Sequence, residues 1–131
     1  NSGRNALPVE MALEAKARGI PVIALTSLAH SRSVSSRQGG GKRLFEIADI
    51  VIDNCGVPGD AVVRLPDISE RVGPTSAVAG TFIMNLIMVE AIRRLHRAGV
   101  TPPILISANL DGSDAHNRKL RRRYRGRIRG L

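Results

Sequence analysis

Aromatic side chains are almost missing from this 131-residue chain, which has two phenylalanines, one tyrosine and no tryptophan. Single-stranded nucleic acid is gripped on aromatic platforms, and Phe45, Phe82 and Tyr124 alone offer little for that mode. Cysteine is scarcer still. Cys55 has no second cysteine to pair with, which excludes an internal disulfide and a cysteine-rich zinc centre. A reducing compartment, the cytoplasm, is the location expected from this. Long apolar runs are lacking too. Residues 77–92 are apolar nearly all round, but Thr81, Asn85 and Glu90 interrupt them. The run is shorter than the roughly 20 residues of a membrane span, so no membrane partner is expected. The chain opens on Asn1, without a methionine or a signal-peptide pattern, in a turn cluster of the kind that follows a strand. An N-terminal part is therefore expected to be missing.

What the chain does have is an ordinary globular composition, 43% hydrophobic and 24% charged, with a net charge of +9. One compact domain, or a large piece of one, is expected. The excess charge is local. Eight basic residues and no acid fall within 118–131, while residues 1–117 carry twelve basic and eleven acidic side chains. The body at 1–117 is nearly neutral, and 118–131 forms a basic helix end and tail. A solvated face is the simplest reading of that tail. Two others are binding to acidic protein or nucleic acid, and a contribution to an anionic site of a neighbouring subunit.

Periodicity and punctuation place the elements. A helix is expected from residue 5 to 18, with Pro8 in its first turn and Gly19 as its stop. Pro21-Val22-Ile23-Ala24-Leu25-Thr26 and Asp49-Ile50-Val51-Ile52-Asp53 are short, purely apolar runs. They read as strands buried on both faces, as in a parallel sheet. Residues 27–41 read as loop, 44–48 as a short helix, 61–65 as an edge strand and 75–98 as the longest helix, buried on several sides. Residues 104–107 read as a last short strand and 114–124 as a polar helix. Alternation of this kind predicts an α/β fold, a Rossmann-like three-layer α/β/α sandwich with a mainly parallel sheet. Ligands of such folds bind beyond the carboxyl ends of the strands.

The chemistry concentrates at the start. In Asn1-Ser2-Gly3-Arg4-Asn5, Gly3 permits close backbone approach, Ser2 and Asn5 offer hydrogen bonds, and Arg4 can add charge. The helix that follows presents free N–H groups and the positive end of its dipole, which suits a phosphate. A plain helix cap reads equally well from these residues. Ser27, Thr75 and Ser76 are further hydroxyl candidates for the same pocket. His30, after a strand end, and His116, behind Asp111 and Asp114, are the candidate acid–base groups. His96 sits among arginines and reads as surface. Lys42 and Arg43 follow a glycine run without a nucleotide-loop ending. Cys55 reads as a structural thiol. No metal site and no cofactor are expected.

The opening segment, its alanine-rich helix and Val22-Ile23-Ala24-Leu25-Thr26-Ser27 resemble the sugar isomerase (SIS) domain. The phosphate loop of that family reads Ser-x-Ser-Gly-x-Ser/Thr. Ser2 matches its second serine, Gly3 its glycine, and Asn5 stands where a hydroxyl is usual. Leu28-Ala29-His30-Ser31, the run 53–60, Val72-Gly73-Pro74-Thr75-Ser76 and the run 111–117 resemble an uncharacterised bacterial branch of putative-isomerase type, and extend the likeness over the whole chain. The resemblance implies that 1–117 is the C-terminal part of a SIS domain. It also implies that the domain binds a phosphorylated sugar, commonly as a homodimer or homotetramer. Heptose-phosphate isomerases of this fold place a histidine near the start of the last long helix, where this chain has Gly73-Pro74-Thr75-Ser76. An aldose–ketose isomerase and a non-catalytic phosphosugar sensor both stay open. A nucleic-acid-associated protein acting through the arginine-rich tail is the alternative from another class, although nucleic acid is not an expected partner of the body.

Overall fold

A computed structural model describes residues 1–128, which fall into two compact units, one of Asn1–Ile87 and one that begins at Met88. In the first unit, helix α1 spans Ala6–Ala17. Pro8 stands in its first turn, where its missing N–H would have had no helical partner. The helix closes with Ile20 N donating to Ala15 O at 2.9 Å and Gly19 N to Lys16 O at 3.0 Å, and Gly19 takes φ +70° to allow it. Val9 and Ala12 are buried, while Leu7 and Met11 on the same helix are 70% and 65% exposed.

Strand β1, Ile23–Thr26, runs parallel to β2, Ile50–Asp53, in the register Ile23 with Ile50 through Thr26 with Asp53. A parallel pair needs a crossover. Here it contains helix α2, Leu28–Arg32, and a 3-10 turn, Leu44–Glu46. Asp49 fixes the start of β2 by bridging Lys16 of α1 and accepting from Val22 N at 2.8 Å. Strands β3, Ala61–Val63, and β4, Val72–Pro74, form a separate antiparallel pair. Helix α3, Ser76–Arg97, follows and continues into the second unit, which also holds helix α4, Ser113–Tyr124.

The mixed α/β class is as expected, and its strands stand as two pairs. Five local expectations differ. Residues 27–41 contain α2, whose Ser27 cap makes a helix from what reads as loop. Residues 72–74 form a strand that only its pairing with β3 reveals. The run 104–107 is not a strand: with no backbone ladder beside it, Ile106 exchanges its N–H and C=O with the Asn117 side chain at 3.1 and 2.9 Å. Burial on both sheet faces is not found either, because Ile23 is 62% and Ile50 55% exposed. Helix α3, expected to be buried on several sides, has no buried residue; at 22 residues, with an 18-residue stretch of mean hydropathy 1.4, it is long and apolar enough to cross a membrane.

Candidate functional site

The two parallel strands end level with each other, and the loops leaving their carboxyl ends meet the start of the chain. Asn1 is the junction. Its carbonyl accepts from Ser27 N at 3.0 Å and from the Thr26 hydroxyl. Its side-chain Oδ1 accepts from Asn54 Nδ2 at 3.0 Å, and its Nδ2 lies 3.5 Å from His30 Nδ1. Chain start, β1 end, β2 end and α2 are thereby tied at one place.

Gly3 is buried at the centre of this arrangement, with φ +59°. A Cβ there would lie 3.1 Å from Leu44 Cβ and 3.5 Å from both Ser31 Oγ and Thr26 Oγ1. The Gly3 carbonyl accepts from Leu44 N at 2.8 Å, so the turn is clamped on both sides. Arg4 is held through its carbonyl, which accepts from Arg37 N at 2.8 Å, and its Nη2 reaches Ser35 Oγ at 3.5 Å. Its Nε is buried and has no hydrogen-bond partner. Asn5 caps α1 with extended backbone, φ −75° and ψ 147°, but its side chain makes no cap hydrogen bond. The N–H groups of Ala6 and Leu7 are thus not covered by the cap side chain. Ser2 is half-buried.

The other expected hydroxyls are committed within the fold. Ser27 is fully buried; its Oγ accepts from His30 N at 3.0 Å and donates to Gly56 O at 2.5 Å. It caps α2 and ties that helix to the loop after β2. Thr26 and Ser31 hydroxyls share a hydrogen bond of 2.9 Å. Thr75 and Ser76 are engaged by Asp60. Their backbone N–H groups donate to its Oδ1 at 3.1 and 2.9 Å, and Ser76 Oγ donates to its Oδ2 at 2.5 Å. The N-terminus of α3 therefore already holds an anion from its own chain. The Ser76 hydroxyl first, with the Ser76 and Thr75 N–H groups, holds the Asp60 carboxyl below its usual range.

Arg43 is committed as well. It pairs with Glu46 at 2.7 Å, donates to Ser31 O at 3.1 Å and to Val34 O at 3.3 Å, and stacks 4.8 Å over Phe45. That guanidinium lowers the Glu46 carboxyl to about 2. His30 stays half-buried at the β1 end. In the second unit His116 is oriented not by Asp111 or Asp114 but by Ile104, whose carbonyl accepts a hydrogen bond from its Nε2 at 2.8 Å. Sequence reasoning missed Asn1 as junction, the Ser27 cap and Asp60. The signal for Ser27 was available: a serine at a strand end, just ahead of Leu28-Ala29-His30, is a common N-cap context. Asp60 acts across 15 or 16 residues, which no local pattern reveals.

The same segment carries the family likeness. Residues 1–27 match the SIS domain family. Over nearly the whole chain, curated relatives align at close to half identity. A UPF0309 protein of Shouchella clausii is 46% identical over 97% of this chain and 52% of its own length. A UPF0309 protein of Geobacillus thermodenitrificans is 45% identical over 97% of this chain and 51% of its own length. One from Caldanaerobacter subterraneus subsp. tengcongensis is 44% identical over 100% of this chain and 54% of its own length. The chain thus spans about half the length of the curated relatives it matches. The SIS-domain match at residues 1–27, with this degree of identity to UPF0309 proteins along the rest, fits an uncharacterised SIS-like family.

Proposed function

We propose that the protein binds a phosphorylated sugar at the turn of residues 2–5, with the phosphate seated on the N-terminus of α1. The observation that carries this reading is the coincidence of the SIS-domain match with the clamped Gly3 turn at the carboxyl ends of β1 and β2. Ser2 and Asn5 supply side-chain donors there. The first-turn N–H groups and the helix dipole supply a field favourable to a dianion. Arg4 adds positive charge nearby. Ser27 then acts by position, holding α2 and His30 in place, rather than by touching the ligand. Thr75 and Ser76 would reach a ligand only by giving up Asp60. In the intact fold the β1–β2 pair would belong to the parallel sheet of a three-layer sandwich, in a cytoplasmic homodimer or homotetramer.

Binding alone requires no acid–base pair, and aldose–ketose isomerisation requires one. His30 is the imidazole at this end of β1, with Nδ1 turned toward Asn1. The test is titration of the chain with hexose 6-phosphates, unphosphorylated hexoses and inorganic phosphate, followed by amide chemical shifts. The expected result is saturable perturbation of residues 2–7 by the phosphorylated sugars, weaker by phosphate and none by the free hexoses, and a loss of about tenfold in affinity for Asn5→Ala, the size of one charge-assisted hydrogen bond. Equal responses to sugar and sugar phosphate, or shifts that leave residues 2–7 unmoved, would overturn the reading. Aldose–ketose conversion in the same samples separates an enzyme from a sensor.

A further inference from the structure

Helix α4 has two unlike faces. Ser113 and Asn117 are buried, and Leu120 and Tyr124 half-buried, so the spacing of 4, 3 and 4 residues marks the side turned toward its own unit. Arg118, Lys119, Arg121, Arg122 and Arg123 are all exposed and fall on the remaining arc, about 200° wide at 3.6 residues per turn. None of the five is in an ion pair among the described residues. The only acid on the helix is Asp114, in its first turn.

We propose that this arc binds the phosphate backbone of a nucleic-acid duplex, without base specificity. Three features select that partner among polyanions. The arc carries no large apolar side chain to enter a lipid interface, as an interfacial helix must. It carries no aromatic either: Tyr124 is half-buried, with the Arg123 and Arg127 guanidinium groups 5.6 and 5.8 Å from its ring centroid, so stacking on unpaired bases is not offered. Finally, a flat anionic surface engages only a narrow strip of a helix. A groove rises on both sides of it, and a charged arc of about 200° over the roughly 9 Å of residues 118–123 faces phosphates on both walls. This role is independent of the sugar-phosphate site, and it departs from the expectation that nucleic acid is no partner.

The test is binding of the full chain to a 20-base-pair duplex of mixed sequence, by fluorescence anisotropy between about 50 and 200 mM salt. Five phosphate contacts predict a log–log salt slope of about −4 to −5. The triple variant R121Q/R122Q/R123Q should flatten that slope by about 2.7, whereas R121K/R122K/R123K should keep it, because a phosphate contact needs charge rather than a guanidinium fork. These residues are exposed, and far-UV circular dichroism checks that α4 stays helical; R118Q/K119Q gives a second reading of about 1.8 units should the triple variant unfold. Failure to bind duplex at the lowest salt, an unchanged slope in the glutamine variants, or tighter binding to phosphatidylserine vesicles or to single strands than to duplex would each overturn the proposal.

Discussion

Replacing Gly3 by alanine should separate two effects that glycine resolves at once. Gly3 takes φ +59°, and an L side chain in that region costs about 1–2 kcal/mol. It is also tightly enclosed: the new methyl would meet Leu44 Cβ at 3.1 Å. Leu44 cannot rotate that atom away, because Cβ is fixed to its backbone, and the backbone is held by the Leu44 N to Gly3 O bond of 2.8 Å. Forcing a methyl into such a contact adds about 1 kcal/mol or more. Gly19 supplies the control. Its φ is +70° and nothing lies within 4 Å of its Cβ position, so Gly19→Ala carries the backbone cost alone. Urea unfolding followed at 222 nm should therefore place Gly3→Ala about 1–2 kcal/mol below Gly19→Ala. If the two variants unfold within about 0.5 kcal/mol of each other, the enclosure at Gly3 is not real and the clamped turn fails as an account of the site.

Two further outcomes test one contact in each unit. Asn117→Ala removes both bonds to Ile106, each worth about 0.5–1.5 kcal/mol; the expected loss is about 1–3 kcal/mol, with hydrogen exchange at the Ile106 amide accelerated, and unchanged exchange would refute the role. Asp60 gives a pH signature. Its carboxyl is held below the usual range by Ser76 and Thr75, so the unfolded state takes up the proton first and the contact is fully present above about 3.9. Wild type should melt above Asp60→Asn at pH 7, and the gap should close as pH falls through the lowered folded value; a gap that persists to the acid limit contradicts the assignment.

How much of this was legible depended on the range of the interactions. Helices α1, α3 and α4 and strands β1 and β2 follow from local pattern: Pro8 and Gly19 bracket the first helix, and the two apolar runs end in Thr26 and Asp53. The Gly3 turn was legible because glycine followed by a helix is a local signal with a physical meaning. Strand β4 was not, since Gly73 and Pro74 are poor strand formers and only the pairing of Pro74 with Ala61 and of Val72 with Val63 makes the segment a strand. The 104–107 run shows the converse. Its β-branched, apolar character is real, but a strand needs a backbone partner, and the Asn117 amide takes that place. At the site, Ser27, Thr75 and Ser76 were found as hydroxyls at the right positions in sequence. Sequence could not show which hydroxyls are already taken, because His30 N, Gly56 O and Asp60 reach them through space.

That distinction between taken and open donors carries the functional argument further than residue type does. Two long helices begin in the first unit, α1 after the Gly3 turn and α3 after strand β4. At α3 the N–H groups of Thr75 and Ser76 close on the Asp60 carboxylate, so the dipole and the donors are satisfied from within and the end serves the fold. At α1 the cap residue Asn5 leaves its side chain out of the cap, Pro8 removes a donor without replacing it, and Arg4 keeps a buried Nε without a partner. A buried guanidinium nitrogen without a partner is costly unless an anion meets it, and the uncapped first-turn amides lie at the same turn. Meanwhile Thr26, Ser27 and Ser31 are committed to holding Asn1 and α2 against the strand ends. The hydroxyls beneath the turn thus make it rigid, and the groups above it are left to bind. This division is the one expected of a site preorganised for a dianion rather than of a helix cap.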